Sequence, residues 1–297
     1  MSHISLRRST IHAYEANPIE VVCRFMECGG VETGSYASVV TGVVLLGLGL
    51  VVVLTYIPEA RSELKEEHER VATERDAIAA FQRKVSGIEA VRSAPTGRGA
   101  VAIGSELEDS GFERIKDAYR ETVMSVPHYE EEYDEPIEAN MTAELGDEMA
   151  AAVFGGRRYT QPIKRGLVSQ CNEARHSREE LLTVLEREQR RLTSADEELC
   201  DIVSELETEM PDLEEEHTFS ELSDRWTRLG DVESRCREFL EEHSESRGNA
   251  PHNRSGFQEY VYQSLPTEHP VLSDGTRVFD RITECRQTVL RALTRTV

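Results

Sequence analysis

A hydrophobic stripe from Leu167 to Glu209 constrains the fold more than any other feature of the sequence. Its thirteen positions lie three or four residues apart, and ten of them are apolar. This spacing predicts one amphipathic α-helix of about 48 residues, roughly 70 Å long. Such a helix must bury its stripe against another helix. The stripe consists of Leu167, Cys171, Ala174, Arg178, Leu181, Leu185, Glu188, Leu192, Ala195, Leu199, Ile202, Leu206 and Glu209.

The sequence after this stripe predicts a returning helix. Pro211 breaks the first helix, and Thr218 with Glu221 matches a capping box that begins the next one. An antiparallel helical hairpin around Pro211 is the simplest arrangement. The polar segment 244–256, which contains glycine and proline, predicts a loop or disorder, and a last helix follows it.

An uncharged apolar run at 38–57 predicts a transmembrane helix in contact with membrane lipid. Its 20 residues would span about 30 Å, the thickness of the hydrocarbon layer. Four Lys or Arg residues lie in 58–77 and one in 18–37, which predicts a cytoplasmic C-terminal side. The sequence therefore predicts a single-pass protein of the cell membrane, with an N-terminal tail at 1–37.

Apolar residues continue at seven-residue intervals after this run. They predict a juxtamembrane helix over 58–92 with coiled-coil character, in which Glu67 and Glu74 make part of the seam polar. Proline and three glycines predict a linker at 93–104. The rest of the chain, 105–297, is predicted to form a cytoplasmic helical domain.

The composition supports an all-α fold class: a single transmembrane helix followed by a long-helix bundle or antiparallel coiled-coil hairpin. Aromatic residues make up only 6% of the 297 residues, which argues against a large sheet. A net charge of −22 argues against nucleic-acid binding, which needs a basic face. Because only four of the 34 basic residues are lysines, the charge pattern favours the salt-rich cytosol of a halophilic archaeon.

Motifs for catalysis are missing from the sequence. It has no Gly-Lys phosphate loop, no G-x-S-x-G elbow and no H-E-x-x-H pair, so we expect no catalytic residues, no cofactor and no enzyme activity. One acidic segment contains weak candidates for a Ca²⁺ or Mg²⁺ site, namely His128, Glu130, Glu131 and Asp134. The alternative is a solvated connector whose acidic residues favour the start of the next helix.

Two short strings carry a family resemblance, Ala118–Met124 and Pro127–Tyr133. With weaker matches further on, they resemble the signature of a haloarchaeal family of uncharacterised helical proteins over about 59–297. The resemblance implies a helical domain of unknown function and transfers no catalytic residue. The motif residues are Tyr119, Arg120, Met124, Pro127, His128, Tyr129 and Tyr133.

These observations favour a membrane-tethered helical scaffold or adaptor. Its stripe at 167–209 would pair with a helix of the same chain, with a partner helix or with a second copy in a homodimer. A membrane sensor that transmits a movement through 58–92 is the first alternative. A divalent-ion-binding or enzymatic helical domain is the second.

Overall fold

The computed structural model of the chain describes residues 54–91, 105–156, 158–210, 217–248 and 253–295. Every regular element in these ranges is helical, which confirms the all-α class. The elements in chain order are α1 (Tyr56–Gly87), α2 (Ser105–Arg120), a 3₁₀ turn (Val123–Ser125), α3 (Tyr129–Glu132), α4 (Ile137–Leu145), α5 (Asp147–Gly155), α6 (Gln161–Glu209), α7 (Phe219–Gly248), α8 (Asn253–Val261) and α9 (Pro270–Arg295).

The described residues form two compact units. The first unit contains 66–186, and the second contains 54–65 and 187–295. Helices α1 and α6 each contribute to both units. The predicted tail at 1–37 and the predicted linker at 93–104 lie outside the described residues.

Helix α6 confirms the long amphipathic helix, and its stripe is buried within a single chain. One position differs, because Leu182 is buried where the heptad spacing predicted Leu181. At 3.6 residues per turn, the buried line drifts from a strict seven-residue repeat, and a step of four from Arg178 restores it. The buried apolar stripe positions are Leu167, Cys171, Ala174, Leu185, Leu192, Ala195, Leu199, Ile202 and Leu206.

The second unit joins the end of α6 to α7 and packs α7 on α9. Arg228 Nε lies 2.7 Å from Glu209 Oε1, and Arg235 pairs with Glu205 one helical turn earlier, so the two helices run antiparallel. Close packing of α7 on α9 depends on Gly275, where an added Cβ would lie 2.8 Å from Leu240 Cδ2.

The ends of α7 give one confirmation and one correction. The predicted capping box is confirmed, because the Glu221 N–H donates to Thr218 Oγ1 at 3.3 Å and the Thr218 N–H donates to Glu221 Oε2 at 2.8 Å. The predicted loop at 244–256 is wrong at both ends, since α7 continues to residue 248 and α8 begins at residue 253. Glutamate and arginine are good helix formers, so polar composition alone does not end a helix.

The start of α1 corrects the predicted membrane segment. Residues 38–53 lie outside the described residues, but Ile57, the last residue of the predicted run, is fully buried in the second unit. The backbone N–H groups of Thr55 and Ile57 donate to the Asp274 carboxylate at 3.2 and 2.8 Å. In an uninterrupted helix these groups would donate to carbonyls four residues earlier. The observed helix therefore begins at Tyr56, inside the predicted apolar run and two residues before the predicted start at residue 58.

The described helices were also compared with the requirements for crossing a bilayer. None of those in the described ranges is long and apolar enough to do so. This finding contradicts the predicted single-pass location in the cell membrane with a cytoplasmic C-terminal domain.

The core of the first unit holds the second half of α1 against α2, α4, α5 and the first part of α6. Phe81 and Tyr119 meet edge to face with their ring centroids 5.1 Å apart. Lys164 Nζ donates to the carbonyl oxygens of Ser86 and Ile88 at 2.6 and 2.8 Å, which satisfies acceptors at the end of α1. This packing fixes the side of α1 that carries Glu74.

Candidate functional site

The described polar residues of the first unit converge on Glu74 of α1. Three chain segments supply its neighbours: the connector that contains α3, helix α4 and helix α6. We call the group the Glu74 cluster. Its members are Glu74, His128, Glu132, Tyr133, Glu144 and Arg178.

Hydrogen bonds to both oxygens of Glu74 tie these segments together. Tyr133 Oη donates to Glu74 Oε1 at 2.8 Å, and His128 Nε2 lies 3.2 Å from the same oxygen. Arg178 Nε donates to Glu74 Oε2 at 2.9 Å, and its other arm donates to Glu144 Oε1 at 2.8 Å. The side chains of Glu74, Arg178 and Glu144 are each 15% exposed, so these are well-shielded, charge-assisted bonds.

Glu132 brings a second carboxylate close to His128. Its Oε1 lies 3.3 Å from Arg70 Nε, and its side chain is half-buried. One ligand atom from each of Glu74, His128 and Glu132 lies within 4.8 Å of the other two. The cluster therefore combines an imidazole and two carboxylates at one point.

The electrostatics of this point favour the charged forms of Glu74 and His128. Burial alone would raise the pKa of Glu74, but hydrogen bonds from His128 and Tyr133 and the charge of Arg178 hold that pKa below its usual value. The hydrogen bond to Glu74 raises the pKa of His128. Burial raises the pKa of Glu132, against the attraction of Arg70.

The structure brings together only one of the four residues that the sequence offered as metal ligands. His128 belongs to the cluster, whereas Glu130, Glu131 and Asp134 are exposed. Glu132 lies on the His128 side because the two residues are one helical turn apart, with the Glu132 N–H donating to the His128 carbonyl at 3.1 Å. In the sequence, the spacing of four residues between His128 and Glu132 is the signal that distinguishes Glu132 from the neighbouring acidic residues.

The family-like motif serves packing and hydrogen bonding. Tyr119 Oη donates to Asn140 Oδ1 at 2.7 Å inside the core, and Tyr129 Oη donates to the Glu135 carbonyl at 3.1 Å. Met124 packs against the core of the first unit. Of the other motif residues, His128 and Tyr133 contact Glu74, whereas Arg120 and Pro127 are exposed.

A narrow cleft lies beside the cluster. Glu74, Tyr129, Tyr133, Asn140 and Arg178 line it together with apolar side chains of α1 and the connector. The cleft has room for about one water molecule, which is too little for an organic substrate.

A second buried carboxylate, Glu188 of α6, is satisfied in the same way in the second unit. Tyr262 Oη donates to Glu188 Oε1 at 2.7 Å, and Arg191 donates to both Glu188 oxygens at 2.6 and 2.9 Å. Two of the three polar positions of the stripe, Arg178 and Glu188, thus hold hydrogen-bond networks of this kind.

A comparison with known families covers both of these networks. A family model described as a domain of unknown function, DUF7260, matches residues 55–286. The chain belongs to the DUF7260 family. The match covers most of the 59–297 range over which the motifs resembled a family, and it includes both carboxylate networks of the DUF7260 chain. No curated protein and no solved structure matches the chain.

Proposed function

We propose that the DUF7260 chain is a helical interaction protein, a scaffold or adaptor, that binds a basic partner surface through the end of α6. The supporting observation is a concentration of acidic residues near the carboxyl end of this helix. Residues 194–209 contain seven acidic residues and no basic residue. We call this segment the acidic end of α6, and its carboxylates are Asp196, Glu197, Glu198, Asp201, Glu205, Glu207 and Glu209.

The position of these carboxylates is locally unfavourable. The carboxyl end of a helix carries a partial negative charge, and acidic side chains there repel it. The last turn of α6 contains no basic residue that would offset the repulsion. Arg61, Arg228 and Arg235 pair with some of the carboxylates, which leaves an excess of negative charge. Departures from local rules of this kind are typical of functional surfaces.

Two further observations support binding over catalysis. The tyrosines and carboxylates of both networks are engaged in bonds between helices, and the cleft beside the Glu74 cluster holds about one water molecule. Because the stripe of α6 is buried within one chain, a homodimer through 167–209 would have to use the exposed, mostly polar residues of this helix.

The composition also supports a salt-rich solution as the setting. Concentrated salt screens the self-repulsion of a chain with a charge of −22. It also removes long-range attraction, so a partner would be selected by charges in direct contact with the acidic end.

The test compares two variants that remove three carboxylates each from the same helix. The first is Glu197→Gln, Glu198→Gln and Asp201→Asn in the acidic end. The matched control is Glu179→Gln, Glu180→Gln and Glu186→Gln, which changes the net charge equally. A photoreactive residue at the exposed Thr208 would report binding in the native cell. We expect one discrete crosslinked species in the wild type and in the control, and its loss in the first variant.

Two results would contradict this proposal. One is a wild-type chain that forms no discrete crosslinked species. The other is a species that survives in the acidic-end variant or disappears equally in both variants, because binding would then not depend on this segment.

A further inference from the structure

We propose that Glu74, His128 and Glu132 form a binding site for a divalent cation of the Zn²⁺ class. This site lies in the first unit, is separate from the acidic end of α6 and does not depend on the function proposed above. The sequence offered His128 with other acidic neighbours. The structure replaces those neighbours with Glu132, one turn along, and Glu74, from another helix.

The geometry of the three ligand atoms fits a metal ion after a small adjustment. They lie within 4.8 Å of one another, and His128 Nε2 is already 3.2 Å from Glu74 Oε1. Zn²⁺ with bonds of about 2.0–2.1 Å places its tetrahedral ligands about 3.3 Å apart. Ligand atoms that lie farther apart than this need to approach by a small amount, which rotation of a glutamate side chain allows.

The residues around these ligands match what a metal site requires of its surroundings. Tyr133 and Arg178 hold the carboxylate of Glu74, and Arg70 holds that of Glu132. Partners of this kind orient ligating carboxylates in metal sites. A water molecule from solvent would complete four ligands.

The charge of the cluster also favours a cation. Three carboxylates, those of Glu74, Glu132 and Glu144, face two guanidinium groups, those of Arg70 and Arg178. These five groups carry one excess negative charge, which a proton on His128 offsets in the metal-free cluster and which a metal ion bound to the neutral imidazole would offset in its place. The imidazole selects the metal, because nitrogen ligands suit Zn²⁺, whereas Mg²⁺ and Ca²⁺ prefer oxygen ligands alone.

The experiment is a titration of the full chain after removal of metals with a chelator. Potassium chloride at about 0.5 M screens weak adsorption of cations to the acidic surface. We expect calorimetry to show one Zn²⁺ per chain. His128→Gln and Glu132→Gln should weaken binding by at least about 100-fold, and Tyr133→Phe by about 10-fold. His176→Gln is the matched control, since His176 lies beside Glu180 on the exposed face of α6, and it should leave binding unchanged.

Spectroscopy of the wild type with Co²⁺ in place of Zn²⁺ keeps the proposal testable if a variant fails to fold. We expect visible absorption typical of a low-coordinate site with nitrogen and oxygen ligands, without a sulfur charge-transfer band. The proposal is overturned if the wild type does not bind one Zn²⁺ per chain. It is also overturned if the His128→Gln and His176→Gln variants bind Zn²⁺ with the same affinity. A sulfur band would assign the ion to the cysteines and would overturn it too.

Discussion

Asp274 of α9 caps helix α1 from outside that helix, and its replacement tests how the second unit holds the start of α1. The Asp274 side chain is fully buried and accepts hydrogen bonds from the N–H groups of Thr55 and Ile57. Arg277, one turn along α9, donates to Thr55 Oγ1 and to Tyr56 Oη and stacks over the Tyr56 ring at 4.2 Å. This arrangement satisfies donors that every helix leaves open at its start.

The expected loss for Asp274→Ala follows from these contacts. Removing a helix cap costs about 1–2 kcal/mol, and a buried N–H without an acceptor costs about 1–3 kcal/mol. We therefore expect the free energy of unfolding to fall by about 2–4 kcal/mol. Asp231→Ala, at an exposed position of α7, is the control and should change stability by less than about 0.5 kcal/mol.

The pH dependence of stability tests the same contact through a second variant. Burial raises the pKa of Asp274 from 3.8 to about 6, against the bonds from the N–H groups. A group with a raised pKa in the folded state stabilises it most below pH 4, and this contribution is lost as the pH rises through 6. The shift corresponds to about 3 kcal/mol. Asp274→Asn cannot ionise, so the advantage of the wild type over this variant should decline by up to that amount between pH 4 and 6.

Urea unfolding followed by circular dichroism measures both effects. The prediction is refuted if Asp274→Ala is no less stable than Asp231→Ala. It is also refuted if the difference between the wild type and Asp274→Asn stays constant between pH 4 and 6, because Asp274 would then keep an ordinary pKa.

Three other predictions use the same unfolding assay. Gly275→Ala should lose about 1–3 kcal/mol because its Cβ would press on Leu240 and Phe239, and an unchanged midpoint would show that α7 and α9 are less closely packed than observed. Arg178→Met should lose about 3–5 kcal/mol because it leaves Glu74 without its charged partner in a shielded place, and a loss below about 1 kcal/mol would contradict the burial of this pair. Raising potassium chloride from about 0.1 to 2 M should increase the unfolding free energy of a chain with a charge of −22, and a decrease would contradict the role given to self-repulsion.

The sequence predicted the features that depend on local periodicity and capping. The stripe of α6 and the capping box at Thr218 follow from the spacing of residues within one helix, and both are observed. Composition alone was a weaker guide. The polar segment that begins at residue 244 continues as helix to residue 248, because glutamate and arginine favour that conformation in water.

Features that depend on contacts between distant residues could not be predicted. The pattern of 38–57 is typical of a membrane helix, but the cap that starts α1 at Tyr56 comes from Asp274, more than two hundred residues later. Glu74 and His128 meet although 54 residues separate them. In the sequence Glu74 is only a polar interruption of a seam, and nothing local indicates which side chains will surround it.

The central claim is that the polar residues of the first unit connect its helices through the Glu74 carboxylate. A double-mutant cycle with Glu74→Gln and Tyr133→Phe in the metal-free chain measures this connection most directly, with the exposed pair Asp117 and Arg120 as the comparison. We predict a coupling energy of at least about 1 kcal/mol for Glu74 and Tyr133, against about 0.2–0.5 kcal/mol for the exposed pair. Equal coupling energies for the two pairs would contradict the account.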